Sequence, residues 1–384
     1  MAVSRRNLVL GIGGSGLALV AAGGLFAVTR TPDRALAAWG AAATPEPDIR
    51  LDAFRHAILA PNPHNRQPWL IQLVGQHEAI IFCDLDRRLP ATDPFDRQIL
   101  IGFGCFLEVA RIAAAERGWG MDVTAFPQGL PGERLDRRAI ARLRFVPNGA
   151  AGKDRLFAAI AARRSAKLPF DATRHVAPAV LAALGAHAET QVSIATSADS
   201  VMVQTLRALT WDAWSIELAT QRTWQESVDL IRIGKAEIEA NPDGIALGGA
   251  FLEVLAATGQ LSRAQMARPG TVAYNAGIDR YRPILATGMA YAWVTTAGNS
   301  RLDQLAAGRA YVRMNLEATQ QGLGFHPVSQ ALQEFPEMAR PFADIHARLG
   351  APVGGRVQML ARLGYGATPA AAPRWPMASR MIGT

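Results

Sequence analysis

The sequence predicts an α+β fold built from two halves, and three observations support this. Stretches with apolar residues at helical spacing alternate with short apolar runs that are bounded by turn residues. The chain has 384 residues, of which 49% are apolar and 19% charged, and this composition is typical of a globular protein with a sizeable core. A second unit, with helix and strand patterns of its own, begins near residue 150.

The N-terminal segment resembles a twin-arginine export signal. The residues Ser-Arg-Arg-Asn-Leu-Val-Leu at 4–10 precede a glycine- and alanine-rich apolar run that ends at Val28. This implies the twin-arginine translocase as a partner and a periplasmic or exported protein. A small-x-small cleavage site at Ala35–Ala37 gives a predicted signal peptide over 1–37, followed by a linker over 38–49. An uncleaved run could instead remain as a membrane anchor.

A glycine pattern at Gly11–Gly16 matches the dinucleotide-binding fingerprint, but no strand precedes it. We therefore exclude it as a cofactor site.

The first half, residues 50–150, is predicted to contain a helix, a hairpin, a long helix and further strands. The long helix carries Gly102 and Gly104, which permit close approach of a partner. The predicted elements are a helix within 50–60, a hairpin of Leu70–Val74 and Ala79–Leu85, a long helix that starts at Asp93-Pro94 and includes 97–117, and strand and turn over Met121–Val146.

The loop between the first helix and the hairpin, residues 60–69, has the most distinctive composition of the chain. Its three prolines forbid a regular helix and predict a stiff, extended segment. The side chains of His64, Asn65 and Gln67 could form hydrogen bonds with the edge of a flat heterocycle, and Trp69 could anchor the loop. The alternative is a proline-rich loop with a hydrogen-bonded histidine and a core tryptophan.

The second half, residues 151–376, is predicted to open with a helix at Leu156–Ala161 that ends in Arg163-Arg164-Ser165-Ala166-Lys167. Two guanidiniums, a hydroxyl and an ammonium within five residues suit a phosphate. The alternative is a basic helix C-terminus that complements the helix dipole.

The rest of the second half is predicted to hold a helical excursion, a strand and another long helix. The excursion over 205–250 carries Trp211, Trp214 and Trp224, which could cap a pocket or belong to the core. A strand is predicted over 283–296 and a helix over 302–321, before the glycine-rich segment 322–330 and a basic C-terminal segment at 373–376.

These motifs together resemble the flavin-dependent nitroreductase-like family. His-Asn-Arg-Gln-Pro-Trp at 64–69 resembles its Asn-x-Gln-Pro-Trp segment, and the preceding residues resemble the fused, single-chain Acg-like branch. The family's phosphate motif is Arg-x-Ser-x-Arg or Lys, and its backbone passes the flavin ring after a Gly-Leu-Gly segment. The resemblance implies FMN contacts by His64, Asn65, Gln67, Arg163, Arg164, Ser165, Lys167, Pro327, Val328, Ser329 and Arg374.

The resemblance implies a nitroreductase-like α+β fold of two fused pseudo-repeats, with mixed sheets flanked by helices. One motif lies in each half, which implies a monomeric pseudo-dimer with a single FMN site. Hydride would pass from NAD(P)H through FMN to a small electron-poor acceptor such as a nitroaromatic or quinone, and no catalytic side chain is required. The alternatives are an FMN-binding or sequestering protein without turnover, and a membrane-tethered redox partner.

Other classes of site have little support in the sequence. The net charge of +8 comes from scattered arginines, so nucleic-acid binding is not expected. The seven histidines lack paired ligand spacing, and no metal is expected. Cys83 and Cys105 are predicted to be buried apolar residues, although an exported location would permit a disulfide.

Overall fold

The computed structural model describes residues 29–149 and 152–383, so the predicted export signal before residue 29 and the glycine pattern within it lie outside the described residues. The helices are α1 Asp33–Ala41, α2 Ile49–Ala57, α3 Arg97–Glu116, α4 Pro178–Gly185, α5 Ser200–Ala219, α6 Gln221–Asp229, α7 Gly234–Ala240, α8 Ala250–Ala257, α9 Arg263–Ala267, α10 Val272–Ala286, α11 Arg301–Gln320 and α12 Ala339–Arg348. The strands are β1 Trp69–Val74, β2 Glu78–Cys83, β3 Trp119–Ala125, β4 Ala141–Pro147, β5 Val192–Ser197, β6 Ile231–Ile233, β7 Ile245–Leu247, β8 Ala290–Thr296, β9 Gly324–Pro327 and β10 Arg356–Gly364.

The two four-stranded sheets have the same topology. The first has the strand order β1-β2-β4-β3 and the second β5-β8-β10-β9, and every neighbouring pair in them is antiparallel. A 20-residue helix follows the second strand of each, α3 in the first and α11 in the second. Among the described residues, parallel pairing occurs between β6 and β7 and at a bridge from Ile71 to Met381. The α+β prediction is confirmed.

Helices α3 and α11 pack together at two glycines. A Cβ atom on Gly104 would lie 2.2 Å from the carbonyl oxygen of Leu305, and one on Gly308 would lie 2.1 Å from that of Ile101. No side chain fits at either position, so the close approach predicted for Gly104 is confirmed. Gly102 instead faces the loop before β1, where a Cβ would lie 3.1 Å from that of Asn62.

Helix α3 is the one helix in the described part of the chain that is long and apolar enough to cross a membrane. Its most apolar 18-residue window is 94% buried within the protein, because α11 and the first sheet cover it. It is a core helix of this fold.

The two sheets are buried differently. Strand β4 alternates, with Leu143 and Phe145 buried and Arg142 and Arg144 exposed, as expected for a sheet with one face in solvent. All seven residues of β8 are buried, because α11 covers one face of the second sheet and the excursion covers the other.

The helical excursion connects β5 to β8 and extends from α5 through α10. It occupies the position that a three-residue turn, 75–77, holds in the first half. Trp214 stacks between Trp211 and Tyr281, with ring centroids 5.3 and 4.9 Å apart, and is only 6% exposed. These rings pack against the second sheet, so this tryptophan stack belongs to the core.

Three predicted elements differ from the structure. Residues 38–41 belong to α1 and are not linker, because Ala35 and Trp39 pack on the body of the protein. The segment predicted as a helix at Leu156–Ala161 is a short 3₁₀ turn, after which Ala166 pairs with Phe325 of β9. Residues 283–286 are helical, so the strand predicted from 283 begins at 290.

Candidate functional site

Four segments that are far apart in the sequence meet beside the loop before β1. Arg163 Nη2 donates a hydrogen bond to the carbonyl oxygen of Leu59 at 3.0 Å. Arg374 donates to the carbonyls of Ile58 at 2.8 Å and Leu59 at 3.1 Å. The amide of Ala166 donates to Phe325 at 2.9 Å. The loop, the phosphate motif, β9 and the C-terminal segment therefore form one site.

The loop has an unusual backbone. His64, Asn65 and Gln67 all lie in the left-handed region, with φ of 45°, 51° and 50°. Non-glycine residues adopt this conformation only where their surroundings hold them in it, and such residues cluster at functional sites. Here Asn62 Oδ1 accepts the Gln67 amide at 2.8 Å, and the fully buried Trp69 stacks on an α3 phenylalanine. The predicted anchoring role of Trp69 is confirmed.

Arg163, Arg164 and Arg374 form a cluster of positive charge, which we call the arginine cluster. Arg163 is 4% exposed and Arg374 is 2% exposed, and among the described residues no carboxylate lies within ion-pair distance of any of the three. Burial lowers the pKa of Arg163 to about 10. Burial, reinforced by the charges of Arg163 and Arg164, holds the pKa of Arg374 well below its usual range. An anion bound here would compensate charge that the protein leaves uncompensated.

Another buried arginine of this fold, Arg97, does have a carboxylate partner. Arg97 is 1% exposed and is paired with Glu334 at 2.9 Å. The arginine cluster binds carbonyl and amide oxygens instead, which satisfy hydrogen bonds without neutralising charge.

Ser165 and Lys167 lie beside this cluster, and their side chains are available to bind a ligand. The Ser165 hydroxyl makes no side-chain hydrogen bond, and Lys167 is exposed without a carboxylate partner, within the described part of the chain. Burial, followed by the charge of Lys167, lowers the pKa of His64 to about 3. Burial, followed by the charges of Arg362 and Lys167, holds the pKa of His326 well below its usual range. Lys167 therefore lies near both the loop and β9. Both histidines are neutral, and His64 Nδ1 is buried without a hydrogen-bond partner.

The side-chain amides of Asn65 and Gln67 already hydrogen-bond to other segments, so only part of their hydrogen-bonding capacity remains for a ligand. Asn65 Nδ2 donates to the Pro373 carbonyl at 2.9 Å, and its Oδ1 accepts from Arg374 at 2.6 Å. Gln67 Nε2 donates to the Pro242 carbonyl at 2.8 Å, and its Oε1 accepts the Trp375 amide at 2.8 Å. The excursion and the C-terminal segment thus cover both side chains.

The segment Pro327-Val328-Ser329 follows β9, as its motif predicted, but Val328 cannot present its amide to a ring. That amide donates to the Leu360 carbonyl at 2.9 Å, and proline has no amide hydrogen. Ser329 is half-buried at the turn that leaves the sheet, and its hydroxyl makes no hydrogen bond to the described residues.

The sequence analysis missed Arg362, which supports the phosphate motif. Its side chain is fully buried in β10 and donates to His326 Nδ1 at 2.8 Å. It also donates to the carbonyls of Ala166 at 3.0 Å and Leu168 at 2.6 Å, which flank Lys167. The available signal was an arginine in an otherwise apolar strand.

The sequence analysis also missed the contact between the excursion and the loop. Asp243 is 4% exposed and pairs with Arg66 at 3.2 Å, Arg87 at 2.5 Å and Arg232 at 2.9 Å. This network fixes the Pro242 carbonyl against Gln67. A Pro-Asp-Gly sequence indicates a turn, but not what the turn contacts.

The remaining metal-binding and cysteine predictions concern residues outside this site. Among residues 29–149 and 152–383, no group of three or more His, Cys, Asp or Glu side chains could hold a metal ion. Cys83 and Cys105 are both buried and free, and burial raises the pKa of each thiol.

Comparisons with known proteins give sequence relatives but no match to a family model. Two relatives from Mycobacterium tuberculosis H37Rv carry the name "Putative NAD(P)H nitroreductase". One is 28% identical over 312 residues, which are 80% of this chain and 83% of the relative. The other, Acg, is 37% identical over 126 residues, 32% of this chain and 36% of Acg. An uncharacterised protein of the same strain is 34% identical over 118 residues. The chain spans about a third of the length of the first curated relatives that it matches.

Similarity to solved structures is weak. A nitroreductase with bound FMN from Bacteroides fragilis is 14% identical, with a TM-score of 0.33, 58% of this chain and 95% of that chain covered. The FMN-dependent nitroreductase NfnB from Mycobacterium smegmatis, in complex with NADPH, is 16% identical, with a TM-score of 0.34, 58% of this chain and 94% of that chain covered.

The relatives support the family that the motifs predicted, since one of them aligns with four fifths of the chain. The chain is similar over four fifths of its length to a protein named as a putative NAD(P)H nitroreductase.

Proposed function

We propose that this protein is an FMN-dependent oxidoreductase of the nitroreductase type, which passes hydride from NAD(P)H to a small electron-poor acceptor such as a nitroaromatic or quinone. The arginine cluster carries this proposal. It places two buried guanidiniums and one half-buried guanidinium together without a carboxylate, as a phosphate-binding site requires. The names of the relatives support the same activity.

The residues around the cluster have distinct roles in this proposal. Arg163, Arg164 and Arg374 neutralise the FMN phosphate, the Ser165 hydroxyl donates a hydrogen bond to it, and Lys167 supplies a further charge. FMN, when bound, supplies the hydride chemistry. His64 offers FMN a hydrogen-bonding group, because its buried Nδ1 has no partner within the described protein.

The site draws on both halves of the chain, which supports a monomeric pseudo-dimer as its unit. The loop belongs to the first half and the phosphate motif to the second. Export through the twin-arginine translocase to the periplasm is part of the proposal and is supported by the paired arginines Arg5 and Arg6.

A second candidate function is FMN binding or sequestration without turnover. The coverage of Asn65 and Gln67 by the C-terminal segment and the excursion favours it, because these contacts close the space beside the loop. A reductase needs that space for its second substrate.

The visible spectrum of the purified protein, before and after anaerobic addition of NADH or NADPH, separates these functions. A reductase should be yellow, bleach with a nicotinamide donor and recover with a quinone. A protein that stays yellow with both donors favours sequestration. A colourless protein that cannot be reconstituted with FMN contradicts both.

Two variants test the phosphate assignment. Arg163→Gln should lose most of its flavin during gel filtration, because the amide removes the buried charge. Arg142→Gln removes an exposed arginine of β4 and should retain flavin as the wild type does. Full flavin retention by Arg163→Gln would show that the phosphate binds elsewhere.

A further inference from the structure

We propose that helix α1 forms one wall of the FMN phosphate site, that Trp39 is a positioning residue for two of its arginines, and that the working protein therefore retains the chain from residue 33. This inference deepens the proposed function and rests on it. It also excludes signal cleavage at Ala35–Ala37 from the maturation of an active protein.

Trp39 lies against the arginine cluster. The guanidinium carbon of Arg164 is 4.4 Å from the centroid of the indole ring, and that of Arg374 is 5.3 Å from it. The indole Nε1 donates to the Ala372 carbonyl at 2.8 Å, which fixes the ring relative to the C-terminal segment. One indole ring therefore contacts two of the three guanidiniums of the arginine cluster.

The positions of these two cations would otherwise be unfavourable. Like charges repel, and the neighbouring guanidiniums already lower the pKa of Arg374. A π-face stabilises a cation without neutralising its charge, so the cluster keeps its attraction for an anion. An aspartate at the same place would fix the arginines equally well but would compete with the phosphate.

Helix α1 is built into the protein at both ends. The Ala35 carbonyl accepts the Arg374 amide at 2.8 Å, and Ala35 is only 2% exposed. Arg34 makes two side-chain hydrogen bonds to Glu239, at 3.0 and 2.9 Å. At the other end, the Ala41 carbonyl accepts from Arg55 at 3.2 Å. These bonds tie α1 to α7, α2 and the C-terminal segment.

Cleavage after Ala37 would remove most of this arrangement. It takes away Ala35, which holds the Arg374 backbone, and Arg34, which binds α7. Only four residues of α1 would remain, too few for a stable helix. Trp39 would then be the second residue of the chain, next to a new, charged N-terminus. Cleavage before residue 29 would leave every one of these contacts in place.

The test compares FMN affinity across a matched set of chains, measured by the quenching of flavin fluorescence at fixed ionic strength. A chain that begins at residue 29 should bind FMN as the full-length protein does. A chain that begins at residue 38 should bind FMN about tenfold more weakly. Trp39→Leu should weaken FMN binding by about the same factor, because each of the two cation–π contacts is worth roughly two- to fivefold in affinity. The FMN affinity of Trp39→Phe should lie between those of Trp39→Leu and the wild type.

The ranking of the substitutions distinguishes positioning from a packing role. If Trp39 only fills space, Trp39→Phe and Trp39→Leu should lower the melting temperature of the FMN-free protein and affect FMN affinity equally. That result, or unchanged affinity in the chain that begins at residue 38, would overturn the inference.

Two further measurements separate this inference from the proposed function. Inorganic phosphate binding by the same set tests the wall without flavin: if phosphate binds and FMN does not, the flavin proposal fails while the inference stands. A full-length chain that binds neither overturns both. The intact mass of the exported, flavin-loaded protein should include residue 33, and a flavin-loaded protein that begins at Ala38 would contradict the inference.

Discussion

A buried carboxylate beside the segment that follows β9 should make stability fall as pH rises. Glu217 of α5 is 6% exposed and accepts hydrogen bonds from Gln333 at 2.9 Å and Ser227 at 3.4 Å. It has no cationic partner among the described residues. Burial raises its pKa from 4.5 to about 7, although hydrogen bonds from Gln333, Gln330 and Ser227 oppose this. We expect Glu217→Gln to remove this dependence.

The sign and size of this change in stability with pH follow from proton linkage. Between pH 4.5 and 7 the folded protein holds a proton that the unfolded chain releases, so stability falls as pH rises through this window. At about 1.4 kcal/mol for each pKa unit, the loss above pH 7 reaches at most ~3 kcal/mol. Glutamine keeps the shape and can still accept from Gln333, but it carries no charge. Glu217→Gln should therefore match the wild type near pH 4.5 and exceed its stability by about 1–3 kcal/mol at pH 8.5.

Urea unfolding at several pH values between 4.5 and 8.5 measures this difference. The control is Glu337→Gln, since Glu337 is an exposed carboxylate whose pKa is lowered to about 2 by Arg222. Removing the charge of Glu337 should change the free energy of unfolding only slightly, and the variant should gain no stability over the wild type as pH rises. A Glu217→Gln difference that stays constant across the range would refute the reasoning.

Three other substitutions test the fold and the loop. Gly308→Ala should destabilise the protein by about 3 kcal/mol or more, because its Cβ would meet the Ile101 carbonyl, whereas Gly277→Ala, with open space around it, should be neutral or stabilising in chemical unfolding. Between pH 6.5 and about 3 the unfolded chain binds a proton at His64 that the folded protein does not, so the wild type loses stability as pH falls. His64→Asn should lose less stability over this range, and asparagine tolerates the left-handed backbone at this position. Asp243→Asn should cost about 3–5 kcal/mol in urea, because three guanidiniums lose their shared carboxylate.

Regular elements could be predicted from the sequence because their signal is local. Apolar periodicity placed α11 within one residue at each end and the hairpin of β1 and β2 within one or two residues. The end of α3 was placed within one residue, but the helix begins at Arg97 and not at Asp93-Pro94. The residues before Arg163 also have apolar helical spacing, but contacts with α3 and α11 leave them as a 3₁₀ turn. Periodicity reports a buried face, not which helix type the neighbours allow.

The candidate site was harder to predict because its support comes from long-range contacts. The residues with motif spacing, such as Arg163 and Arg374, could be predicted, although their burial without a carboxylate could not. Arg362 and Trp39 carry no motif. Each acts on residues more than 100 positions away in the sequence, Arg362 through hydrogen bonds to the carbonyls of Ala166 and Leu168, and Trp39 through its ring.

The two halves share a topology but connect their first two strands differently. The first half connects its first two strands by a three-residue turn, whereas the second uses the excursion, which covers a sheet face and reaches the loop at Pro242. The C-terminal segment reaches the same loop from the other side, at Asn65 and Gln67. An acceptor could enter only where one of these two coverings moves. The excursion is fixed by Asp243 and three arginines, and the C-terminal segment is fixed by the buried Arg374, which donates to the carbonyls of Ile58, Leu59 and Ala60. Arg374 belongs to both the C-terminal segment and the arginine cluster, so movement of residues 373–375 should weaken phosphate binding as well as open the loop. Turnover should therefore require an opening that leaves Arg374 in place, and a site without one should sequester its flavin.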